Sequence, residues 1–99
     1  MAHFMLRLIG PRPTFPADAT DDEREAMRLH AEYWQVKADA GTAIAVGPVF
    51  DPAGVWGMAL VEADSAEQAT RLGEQDPVTL SGLGFRYTVS PIPSIILRK

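Results

Sequence analysis

The chain alternates short apolar runs with polar, turn-rich stretches, and the period of the pattern changes along it. Residues 3–9, HFMLRLI, place Phe4, Leu6 and Leu8 on one side, Met5 and Ile9 on the other, and Arg7 as a charge between them. A short run that is apolar on both alternating sets and stopped by Gly10-Pro11 predicts a strand covered on both faces. Residues 10–18, GPRPTFPAD, carry three prolines and a glycine. Missing backbone donors and fixed φ angles exclude helix and ladder strand there, so an irregular loop is expected, long for a strand-to-helix connection.

The period then becomes helical. Thr20 is a capping residue, Glu23 stands where a capping box needs it, and Asp21, Asp22 and Glu23 suit a positive helix end. The pattern runs to about Ala40, with Gly41 as its stop. At about 100° per residue, Arg24, Glu25, Arg28, Glu32, Gln35 and Asp39 collect on the polar side. Ala26, Met27, Leu29, Tyr33, Trp34, Val36 and Ala40 collect opposite, with His30 inside that arc; Lys37 also falls there, late enough to snorkel out.

Residues 43–49 and 55–61 predict a second and a third strand, forming a hairpin through Asp51-Pro52-Ala53-Gly54, the residue order of a type I turn. Pro48 lacks a backbone donor and places the second strand at an edge. Ser65 and Gln68 fit a capping box for a second helix with a thin apolar side, Ala66, Ala69 and Leu72, fading by Asp76-Pro77. VTLSGLG follows as a connection. Residues 85–90, FRYTVS, alternate as a fourth strand ended by Pro91 and Pro93, and the apolar tail SIILRK is expected to dock on this chain or on a partner.

Strand, helix, strand, strand, helix, strand is most simply a ferredoxin-like α+β sandwich, with a four-stranded antiparallel sheet and both helices on one face. Two helices cover one face only, yet the first and third strands are apolar on both. The uncovered face is therefore expected to be an interface, and the chain a homodimer packed sheet against sheet.

Composition narrows the function classes. Ninety-nine residues make one domain, 1–99. The absence of cysteine removes disulfides, thiolate metal sites and cysteine nucleophiles, and fits a reducing cytoplasm. A net charge of −4 with scattered Lys and Arg gives no nucleic-acid footprint. No run approaches the roughly 20 apolar residues of a membrane helix, and the N-terminus lacks the basic start and small-residue cleavage site of a signal peptide.

Few residues can carry chemistry. His30 is a candidate general acid or base, against the alternative of a packed core histidine. Asp51 is a candidate partner that fixes its tautomer, against the simpler role of starting the turn. Arg7, a charge on a covered strand, needs an anion: a structural carboxylate or the acid group of a substrate. Trp34 and Pro48 are candidate walls of a pocket. His3 and His30 lack metal-ligand spacing, and no glycine pattern cradles a phosphate, so neither metal nor cofactor is expected.

RLHAEYW around His30, AVGPVFDPAG with Gly47, Pro48, Asp51 and Gly54, the ADSAEQA helix start, Asp76-Pro77 and the closing FRYTVSPI together resemble YCII-related domain proteins. The resemblance covers most of the chain. It implies a ferredoxin-like fold that dimerises as an α/β barrel, and small-molecule enzyme chemistry with His30 and Asp51 as the catalytic pair. The long loop 10–18 and the SIILRK tail depart from the simplest pattern of that family. Two functions follow as expectations. One is an enzyme, isomerase, lyase or hydrolase-like, acting on a small acidic or lactone-like substrate. The other is a non-catalytic dimeric module for ligand binding or interaction.

Overall fold

A computed structural model describes residues 1–98. Its elements are β1 (Ala2–Ile9), α1 (Asp21–Asp39), β2 (Ala43–Asp51), β3 (Gly54–Ala63), α2 (Ala66–Glu74), α3 (Pro77–Leu80) and β4 (Arg86–Ile92). The strands form one antiparallel sheet in the order β2-β3-β1-β4, the ferredoxin-like βαββαβ arrangement. The short helix α3 occupies the stretch expected to be only a connection. β2 and β4 are the edges, and each carries a proline, Pro48 and Pro91, where a missing donor costs the ladder least.

The core lies between the sheet and the helices. Phe4, Leu6 and Leu8 point into it from β1, and Ala59, Val61 and Ala63 from β3. The small side chains on β3 leave room for Trp34 of α1, which is 2 % exposed. α1 starts at the expected box: Thr20 Oγ1 accepts from the Glu23 backbone, and Glu23 Oε1 accepts from the Thr20 backbone. The box at α2 is displaced by one residue. Ser65 accepts from Gln68 N–H, but the Gln68 side chain accepts from Asp64.

The buried side of α1 is narrower than the expected arc. It runs through Glu23, Ala26, half-buried His30 and Trp34, one stripe at helical spacing. Leu29 and Val36 fall off that stripe, and Val36 is 63 % exposed because it lies about 200° round the helix from Trp34. The tail beyond Ile92 forms no regular element, and Ile96 is exposed; of the expected docking segment, Lys99 lies outside the described residues. No helix of the described residues is long and apolar enough to cross a membrane.

Candidate functional site

Asp76 is the centre of the site. It caps the N-terminus of α3, with Pro77 at the first helical position, where a missing N–H costs nothing. One carboxylate oxygen, Oδ1, accepts from Val78 N–H at 3.0 Å. The other, Oδ2, lies 2.6 Å from His30 Nδ1, 2.8 Å from Trp34 Nε1 and within hydrogen-bond reach of the Tyr87 hydroxyl. Three elements thus converge on it: α1 supplies His30 and Trp34, one turn apart, β4 supplies Tyr87, and the α2–α3 junction supplies the carboxylate.

Asp76 is fully buried, which by itself pushes its carboxyl up. The hydrogen bonds from His30 and Tyr87, the His30 charge and Val78 N–H outweigh burial and hold it below the usual carboxylate range. The same buried charge acts on the phenols. Tyr87 is raised well above the ordinary tyrosine range, by burial first and then by the Asp76 charge. Tyr33, whose hydroxyl donates to the Leu72 carbonyl, is pushed up to about 12 by burial and Asp76.

An ionised carboxylate only accepts, so His30 Nδ1 carries the proton and donates. In the neutral ring Nε2 then holds the lone pair. Among the described residues His3 Nε2 is the one buried side-chain polar atom without a hydrogen bond, and it stands 3.5 Å from Glu62 Oε1. Among the described residues no hydrogen bond is made to His30 Nε2, and His30 lines a large cavity.

That cavity has a volume of about 690 Å³ and lies between α1 and the β2–β3 side of the sheet. Phe15, Met27, Trp34, Pro48, Phe50 and Phe85 contribute to its walls. Loop 10–18 supplies Phe15, which meets Phe85 edge to face at 5.1 Å. The loop is fastened to α1 by Arg12, whose Nη1 and Nη2 each donate to Glu23 at 2.7 Å, while Nε donates to Asp18 at 2.9 Å. The Glu23 carboxyl is pushed down to about 2, by Arg12 first and the Thr20 backbone second.

The residues expected from sequence divide into two groups. His30, Trp34 and Pro48 meet at the cavity. Asp51 and Arg7 do not, and the expected pairing of His30 with Asp51 is corrected: the carboxylate on His30 is Asp76. The reason is strand parity. Pro48 and Phe50 point to the helix side, so Asp51 points the other way. Its Oδ1 accepts from Ala53 N–H at 2.9 Å, closing the turn, and its Oδ2 accepts from Trp56 Nε1 at 3.3 Å. Arg7, between buried Leu6 and Leu8, also faces away from the helices, with its guanidinium 4.4 Å from the Trp56 ring centre. It lines a smaller depression with Arg86 and is absent from the large cavity.

Asp76 and Tyr87 join the site without having been among the residues expected from sequence. A signal existed: Asp followed by Pro is an N-cap followed by a first-turn proline, which marks a helix start where only a fading end was expected. The described residues contain no group of three or more His, Asp or Glu able to hold a metal ion. Comparison with protein families matches the YCII-related domain over residues 4–93. Comparison with curated proteins gives no match.

Proposed function

The chain belongs to the YCII-related domain family, and from that premise we propose that it is a small-molecule enzyme in which His30 Nε2 acts as general base and then general acid. Asp76 orients the imidazole and stabilises the imidazolium as it forms, the part a carboxylate takes in a triad. The observation that carries this reading is the 2.6 Å contact of His30 Nδ1 with a buried carboxylate while the ring lines a cavity of ligand size. Nε2 would take a proton from a substrate carbon next to a carbonyl and return it at another carbon, an isomerisation; or the substrate would expel a leaving group from the adjacent carbon, with the imidazolium giving its proton to that departing group, an elimination. It would equally activate a water against a lactone. Such proton transfer contributes about 10² to 10⁴-fold. The test is turnover of a panel of lactones and enols by the wild-type protein and by His30→Ala; equal activity removes His30 as the catalyst.

A second reading has its own support. Asp76 is so fully satisfied by Trp34, Tyr87 and Val78 that His30 can be one strut of a structural network around a ligand-binding cavity. A non-catalytic module would show saturable thermal stabilisation by ligands with no product formed.

The assembly assigned to either reading is a homodimer through the sheet face that no helix covers, where Met5, Met58, Leu60 and Trp56 are half-buried. A monomeric mass at micromolar concentration contradicts it. The cysteine-free composition suits a reducing compartment, and the cytoplasm is the location this reading assigns.

A further inference from the structure

His30 is the one histidine lining the cavity, and the side chains around it bear on which ligand it takes. No Lys, Arg, Asp or Glu of the described residues lines it. Apart from His30, its polar side chains are few: Gln35, which donates to Asp39, and Tyr87 and Trp34, which point their polar atoms at Asp76; the Trp56 side chain stands on the other face of the sheet, where its Nε1 donates to Asp51. The wall is otherwise aliphatic and aromatic. The arginine that sequence suggested as an anion anchor lies on the opposite face of the sheet, stacked on Trp56. The charge nearest His30 is the buried Asp76 carboxylate, which repels a second anion.

From this geometry we infer that the group a ligand brings to His30 Nε2 is uncharged: the site takes a neutral, ring-bearing small molecule and excludes carboxylates from the histidine. A carboxylate placed there would lose its hydration without gaining a cation or a fixed array of donors. It would also face a lone pair on Nε2 instead of an N–H. A neutral carbonyl compound or amide loses far less on entry. Its ring gains the apolar surface of Phe15, Phe50 and Phe85. Of the acidic and lactone-like substrates expected from sequence, the lactone-like class is the one that fits.

The inference deepens the acid–base reading of His30 and rests on it for the identity of the working atom, yet the two fail separately. The probes are phenylacetamide and phenylacetate, which share a ring and a length and differ in charge. Each is titrated into the full chain at pH 8, where an ordinary imidazole is neutral, with the His30 ring signals followed by nuclear magnetic resonance. The expected result is that phenylacetamide shifts those signals and that phenylacetate needs at least ten times the concentration for the same shift. In Gln35→Lys, which adds a cation to an exposed position of the cavity wall, phenylacetate affinity rises at least tenfold. The inference is overturned if phenylacetate shifts His30 at equal or lower concentration, or if neither probe reaches the ring up to its solubility limit. Discrimination by charge together with full turnover in His30→Gln would leave this inference standing and remove the acid–base reading.

Discussion

At the scale of single residues, Asp76 decides what His30 can do. Replacing it with Asn leaves the shape but turns an acceptor-only group into one that also donates. Asp76→Asn is expected to lower turnover by up to about 10⁴-fold, the loss seen when a triad carboxylate becomes an amide and the imidazole takes the wrong tautomer. Steady-state kinetics on any substrate found in the lactone panel checks it. Asp51→Asn is expected to leave turnover within a few-fold and the His30 ring signals in place, because Asp51 serves its own turn and Trp56 on the other face of the sheet. Tyr87→Phe removes one donor from a buried carboxylate and should cost about 1.5–3 kcal/mol in a denaturant titration. At this scale the sequence showed half of the site. His30 stood out as a polar residue in an apolar arc. Its carboxylate did not, since a sequence separation of 46 residues carries no local signal.

At the scale of elements, the loop 10–18 supplies part of the cavity wall, and the approach of α2 to β4 packs Gly73 against Tyr87, which lines it. Glu23 both caps α1 and holds Arg12, so one carboxylate joins loop to helix. Its carboxyl is depressed from 4.5 to about 2. A depressed carboxyl stabilises the fold above its unfolded value and loses that contribution as pH falls through the folded one. Stability should therefore drop between about pH 4.5 and 2, and Arg12→Ala should flatten that part of the profile of thermal midpoint against pH. The buried Asp76 adds a loss of the same sign below the ordinary carboxylate range. Gly73 lets α2 lie against Tyr87. A Cβ there would stand 2.9 Å from Tyr87 Cδ2 and 3.0 Å from Cγ. Gly73→Ala should destabilise by about 1–3 kcal/mol, as overpacking does, and should shift the His30 ring signals through Tyr87 and Asp76. Element types were legible because their patterns differ: short runs apolar on both faces in β1 and β3, alternation in β4, helical spacing in α1, proline and glycine between. The width of the α1 face was not legible, because periodicity gives the direction of the apolar side and only packing sets how far it extends. α3 was missed because four residues are too few to show a period.

At the scale of the whole molecule, the order of elements, with Pro48 marking an edge strand, was enough to give the sheet its topology; Pro91, expected to end the fourth strand, instead lies within it opposite Phe4. Right-handed crossovers and short hairpins leave few other ways to place four strands and two helices. Parity of side chains on those strands then decides which candidates share a face, and it separated Asp51 and Arg7 from His30. That separation leaves an arginine, an aspartate and a tryptophan together on the uncovered face of the sheet. In the proposed homodimer this cluster lies at or beside the interface. Arg7→Glu should then weaken association, seen as a lower average mass by sedentimentation at micromolar concentration, while the His30–Asp76 contact persists.

His30 carries its proton on Nδ1, hydrogen-bonded to Asp76, and keeps the Nε2 lone pair for the cavity. Nitrogen-15 chemical shifts of the His30 ring at pH 8 test it without a substrate. The expected result is a protonated Nδ1 and an unprotonated Nε2, with the pattern lost or reversed in Asp76→Asn. A ring protonated on Nε2 in the wild-type protein would contradict it, since His30 would then have no base to offer.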